Sequence, residues 1–192
     1  MIKLFECTGG EIVLPDRRLV LVDRADGGNL VVNPPREVWE RGQLSSQELT
    51  RWSFLVAAVG RAMIDSLPQL AGGCVNYWEA GNWALNDDAE PRGRKTPAQQ
   101  RRVDMHLLGR SPNAVSPSWR WGEAPKFPDF ADRFAWASEN KRLTPGECRA
   151  IVDLTARLLT ARYGMDAKEI TTSRTCITCR YPVTGACSEC VR

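Results

Sequence analysis

No apolar run in this 192-residue chain approaches the roughly 18 residues that a helical membrane span needs. Its opening, Met1-Ile2-Lys3-Leu4-Phe5-Glu6, lacks the apolar core of a secretory leader, so the expected setting is the cytoplasm, away from membranes. Excess charge of either sign is also missing. Lys and Arg total 26 against 23 for Asp and Glu, and the resulting +3 is too small to argue for nucleic acid from charge alone. No internal repeat is visible. What the chain does have is 43% hydrophobic and 8% aromatic residues, enough for a sizeable core and against wholesale disorder. The length suits one domain plus a small appendage.

The seven cysteines are unevenly spread. Cys7, Cys74 and Cys148 stand alone and read as small buried apolar residues. Cys176, Cys179, Cys187 and Cys190 form two C-x-x-C pairs near the end of the chain. In a reducing compartment this pattern reads as a metal site. Zinc takes four tetrahedral thiolates, and each C-x-x-C turn offers two from one side. Pro182 and Gly185, in the spacer, suit the chain reversal that sets the pairs opposite each other. One structural zinc per chain is therefore expected, and a redox or disulfide pairing is the alternative. The division expected is residues 1–165 as the main domain and 166–192 as the zinc-binding tail.

Along the chain, Ile12-Val13-Leu14 and Leu19 to Asp23 flank Pro15-Asp16 and suggest a hairpin. A strand over Asn29 to Asn33 stops at Pro34-Pro35. Ser45 or Ser46 caps a helix in which Leu49, Trp52, Leu55, Val56, Val59, Met63 and Leu67 recur at helical spacing up to Pro68. A strand is expected from Cys74 to Trp78, then a long polar loop over 86–100, then a strand from Val103 to Leu108. Residues 111–130 carry four prolines and four aromatic rings and read as an irregular strap over the core. Thr144, Pro145 and Glu147 start a second helix, which Gly164 ends. The fold class expected is α+β: an antiparallel sheet with a long helix packed on it, a C-terminal helix and a four-cysteine tail.

The strand before the strap carries the chemistry. Alternation places Arg102, Asp104 and His106, the only histidine, on one face, with Val103, Met105 and Leu107 on the other. An imidazole, a carboxylate and a guanidinium on one face suit acid–base work on a phosphorylated ligand, and equally suit a satisfied polar patch.

The segment Arg102-Val103-Asp104-Met105-His106-Leu107-Leu108-Gly109-Arg110 resembles the signature of the histidine triad superfamily, His-φ-His-φ-His-φ-φ (φ hydrophobic) followed by Gly or Pro and Arg. Gly27 to Arg36 is similar to that family's G-H-φ-φ-φ-φ-P-K/R strand, and Leu44-Ser45-Ser46-Gln47-Glu48-Leu49 to its L-T-x-E-E helix start. The resemblance spans about residues 10–110 and implies a nucleotide-phosphate hydrolase or nucleotidyl transferase, commonly a symmetric dimer. It implies that Asn29 and Asn33 lie near a ribose, and Asn82 and Arg110 near a phosphate. Turn duty is the competing reading for the asparagines.

The departure from the pattern is in the triad itself. Asp104 stands where the family has its nucleophilic histidine, and Arg102 where it has the first histidine. A carboxylate attacks phosphorus only when charge is neutralised nearby, so the family's ping-pong route does not carry over unmodified. Three readings stay open. The first is catalysis with Asp104 as nucleophile or water-activating base, His106 as acid–base or phosphate donor, and Arg102 and Arg110 as charge stabilisers. The second is nucleotide binding without catalysis. The third is a biosynthetic enzyme acting on another phosphorylated or adenylylated substrate. Trp78 and Trp83 are the better candidates for stacking on a base, with core packing as their alternative. A different class is a tail that docks nucleic acid or a partner protein, although no base-reading helix is evident.

Overall fold

Strand β1 (Ile2–Cys7) turns at Thr8-Gly9 into β2 (Gly10–Leu14), and the two pair antiparallel with a register shift between Lys3 and Phe5. Strand β3 (Asn29–Asn33) pairs with β2 on one side and with β5 (Met105–Arg110) on the other. Strand β4 (Cys74–Glu79) closes that edge, and β6 (Ile170–Thr171) adds two residues beside β1. The sheet order is β4-β5-β3-β2-β1-β6, and every pairing is antiparallel. The computed structural model describes residues 1–79 and 81–165, and the backbone of 170–171. The tail cysteines Cys176, Cys179, Cys187 and Cys190 lie outside the described residues.

Two helices cover one face of this sheet. Helix α1 (Ser46–Ser66) starts at a reciprocal cap: the Ser45 hydroxyl accepts from the Glu48 N–H, and the Glu48 carboxylate accepts from the Ser45 N–H. Such a cap contributes about 1 kcal/mol. Arg36 joins the same carboxylate at 2.8 Å, and together with the cap it holds the Glu48 carboxyl down at about 2. Trp52, Leu55, Val59 and Met63 form the buried stripe, and the Trp52 indole donates to the Val32 carbonyl. Helix α4 (Pro145–Tyr163) repeats the arrangement, with Thr144 and Glu147 as its capping box and Gly164 ending it at φ 65. It buries Cys148, Ile151 and Leu159 in the same core. Both helices match the sequence expectation. No helix of the described residues is long and apolar enough to cross a membrane.

The other face carries a second, aromatic cluster. Leu21, Val22, Leu108 and Trp119 are buried there, with Trp78, Trp83, Phe127 and Trp136 packed around them. The expected hairpin between 12–14 and 19–23 is not formed. Pro15-Asp16 instead leads into a single 3-10 turn capped by Asp16, and Val20–Val22 cross this face. Side chains satisfy that backbone where a neighbouring strand otherwise would. Asn29 Oδ1 accepts from the N–H groups of Leu21 and Val22, Trp136 donates to the Leu21 carbonyl, and Asn140 donates to that of Val20. The apolar pattern suggests half of a hairpin, but its partners are side chains: Asn29 nearby, and Trp136 and Asn140 more than a hundred residues away.

The remaining differences are local. The signature strand begins at Met105, two residues later than expected. A 3-10 turn (Asn82–Leu85) precedes the long loop, which ends in a one-turn helix α2 (Pro97–Gln100). A short helix α3 (Arg133–Glu139) follows the strap. Of the lone cysteines, Cys7 and Cys148 are buried, whereas Cys74 is exposed at the end of the edge strand β4.

Candidate functional site

Strand β5 is packed on both sides, and its alternation decides what each side chain can do. Leu107, with Val103 and Met105, faces the helices. Asp104, His106, Leu108 and Arg110 face the aromatic layer, as does Val31, which lies opposite His106 on β3. The Gly-Arg ending of the strand has a physical cause. A Cβ on Gly109 would lie 2.4 Å from the Gly27 carbonyl oxygen, so the β3–β5 approach needs glycine there. In that arrangement the Gly109 N–H donates to the Gly28 carbonyl at 2.9 Å.

Asp104 and His106 come together as the sequence predicted. Asp104 Oδ1 lies 3.7 Å from His106 Nε2, just outside hydrogen-bond range, and the side chains are 20% and 15% exposed. Burial lowers the imidazole pKa from its ordinary 6.5, while the Asp104 charge pulls it the other way. The net direction is down, so His106 is neutral at pH 7. Its Nδ1 is buried with no partner among the described residues.

Asp104 also reaches a cleft of about 360 Å³ on the β3 side of β5, with Arg102, Asn33, Glu11, Glu6 and Arg36 among the residues lining it. His106 lies behind Asp104 and does not line this cleft. In total, four carboxylates (Glu6, Glu11, Glu37 and Asp104) and two guanidinium groups (Arg36 and Arg102) line it. Both arginines are already paired, Arg102 with Glu37 at 3.0 Å and Arg36 with Glu48. Asn33 donates to Glu11 at 2.9 Å.

The other named residues are placed elsewhere. Asn29 is 2% exposed and holds the 20–22 segment through its side-chain oxygen. Arg110 is 4% exposed, lies over the Trp119 ring, and donates to the carbonyls of Arg120 and Glu123. Asn82 is exposed in the turn after β4 and takes no part in the cleft. The structure thus gathers Arg102, Asn33 and Asp104 at one cleft with His106 adjoining. Asn29 and Arg110 are occupied within the core.

Two contributions escaped the sequence reading. Glu11 enters the cleft from a strand read only as apolar, where alternation along β2 gives the signal. Asp26 is buried, and its carboxylate accepts from the N–H groups of Val115 and Ser116, fastening the strap from the far side. Its place in an Asp-Gly-Gly turn concealed that role. Among the described residues no group of three or more His, Cys, Asp or Glu side chains is placed to hold a metal ion. No protein-family model and no curated protein sequence matches the chain.

The His106 environment fixes the sign of a pH effect. The folded imidazole binds its proton less readily than the unfolded one, so as the pH falls below 6.5 the unfolded chain takes up more protons and stability declines. Denaturant unfolding of the wild type and of His106→Gln between about pH 7 and pH 5 is the check, with the steeper loss expected for the wild type. Equal slopes in the two proteins would show that the imidazole is not held neutral by the fold.

Proposed function

We propose that the chain is a histidine-triad-like nucleotide-phosphate hydrolase or nucleotidyl transferase in which Asp104 and His106 do the work of the usual three histidines. The observation that carries this reading is the Asp104–His106 pair: a carboxylate at the wall of a cleft with a neutral imidazole behind it. In hydrolysis, a water oxygen bonds to phosphorus as the bond to the leaving group breaks. Asp104 takes the water proton, and His106 is placed to receive it in turn. Their 3.7 Å separation shortens to a hydrogen bond when ligand closes the site.

Electrostatics set the main demand on this chemistry. Lys3 already pairs with Glu6 and Glu11, so a phosphate entering the cleft meets its repulsion chiefly from Glu37 and Asp104, which Arg102 and Arg36 offset by turning towards it. The Arg102–Glu37 pair is exposed, and such pairs contribute only about 0–1 kcal/mol, so exchanging Glu37 for a phosphate costs little. Arg110 does not serve here, because its guanidinium fastens the strap.

A second reading, nucleotide binding without turnover, is favoured by that commitment of Arg110 and by the Trp78 ring packed against His106. One assay separates the two. Purified protein is incubated with dinucleoside polyphosphates and nucleoside phosphoramidates, and release of nucleoside monophosphate is followed. Turnover is expected, with at least about a hundredfold loss in Asp104→Ala and in His106→Ala. Saturable binding with no turnover would select the second reading.

The tail is a separate proposal. Four thiolates in two C-x-x-C pairs are a donor set that suits zinc, and Cys176, Cys179, Cys187 and Cys190 would hold one ion in a closed structural site. Elemental analysis of the purified chain should return one zinc per molecule, falling to none in Cys176→Ser/Cys187→Ser. A metal-free wild type of unchanged thermal stability would refute the assignment.

A further inference from the structure

The rings beside His106 form a chain of contacts. Trp78 on β4 is in register with His106, and their ring centroids are 5.6 Å apart. Phe127, from the strap, lies against Trp78 at 4.4 Å with 31° between the planes. Trp119 meets Phe127 edge-on at 5.5 Å. Trp119 is buried, whereas Trp78 and Phe127 are only half-buried.

The two halves of the strap are held differently. Its first half is pinned to the sheet by buried charged groups, Asp26 at Val115 and Ser116 and Arg110 at Arg120 and Glu123. Beyond Glu123 these ties stop. The backbone hydrogen bonds of residues 124–131 run from Lys126 to Ser118 and from Asp132 to Asp129, and the Arg133 side chain bonds the Phe130 carbonyl; none of them reaches the sheet. Phe127 is therefore held on Trp78 by ring contact, on a stretch with no hydrogen bond to the strands beneath among the described residues. Beside Trp78 the His106 Nδ1 has no partner among the described residues, and the Phe127 ring on the same tryptophan cannot supply one.

We propose that Phe127 plugs a ring-binding subsite on Trp78 beside His106, and that the planar heterocycle of a bound ligand takes its place as residues 124–131 swing away. A nucleobase offers what Phe127 lacks, a hydrogen-bonding edge along with a stacking face. The identity of the ring rests on the nucleotide reading above; the plug itself does not. This subsite lies on the β4 side of β5, across the strand from the polar cleft, so a bound ligand straddles Asp104.

The single histidine makes the test direct. Diethyl pyrocarbonate acylates neutral imidazole, and with a single histidine in the chain the ultraviolet band of carbethoxyhistidine reports on His106 alone. Phe127→Ala is expected to react several-fold faster than the wild type, and Phe127→Trp no faster, with near-UV circular dichroism confirming that both are folded. If alanine disturbs the strap, Phe127→Leu keeps its apolar volume and is expected to give an intermediate rate. Equal rates in the wild type and a folded Ala or Leu variant overturn the plug.

Adenosine 5′-monophosphate and ribose 5-phosphate then differ only in the ring. Protection of His106 by the first and not by the second, at lower concentration in Phe127→Ala, is the expected result. Equal protection by both overturns the ring exchange and leaves the phosphate site standing. Protection by neither overturns the ring exchange together with the nucleotide reading.

Discussion

Everything in this molecule depends on one strand being packed on both faces. Strand β5 offers Leu107 to the helix layer and Leu108 to the aromatic layer, and both are fully buried. A strand so confined cannot slip by one residue without exchanging its two sets of side chains. That confinement, with the glycine crossing at Gly109 and Gly27, keeps Asp104 and His106 on the same side and at a fixed separation. The pair is thus a consequence of core packing before it is a matter of chemistry.

The aromatic layer does two things at once. It closes the sheet face that the helices leave open, and it takes His106 out of water. Three buried polar side chains organise it without pairing to opposite charge: Asn29 orders the 20–22 segment, Asp26 the start of the strap and Arg110 its middle. Each bonds to backbone groups of the segment it holds, and those bonded by Asn29 are buried. The resemblance to the histidine triad family suggested that Asn29 and Arg110 meet a ligand. In this chain Asn29 Oδ1 and Arg110 Nη2 hold the cover in place, while Asp104, Arg102 and Asn33 remain at the cleft.

Much of the fold was legible in the residues. Helices α1 and α4 announced themselves through capping boxes and apolar spacing, and the alternation around His106 correctly placed Asp104 beside it. The failures come from partners that composition does not show, some of them distant in sequence. The Leu19–Asp23 stretch has the composition of a strand, but Asn29, Trp136 and Asn140 satisfy it, a set no local pattern reveals. Strand β1 went unread because its polar residues, Lys3 and Glu6, interrupt the apolar ones, and it becomes a strand only by pairing with β2. Of the cleft, Asp104, Arg102 and Asn33 were legible from position, whereas Glu11 entered through the register between β2 and β3.

The central claim is that the polar face of β5 receives a phosphorylated ligand at Asp104. A crystal structure of the protein soaked with a nucleoside monophosphate tests it most directly. The account predicts phosphorus facing the Asp104 carboxylate with room for one water between them, and the Arg102 guanidinium turned from Glu37 to the phosphate. A phosphate bound anywhere off this face, with Arg102 still on Glu37, would contradict it.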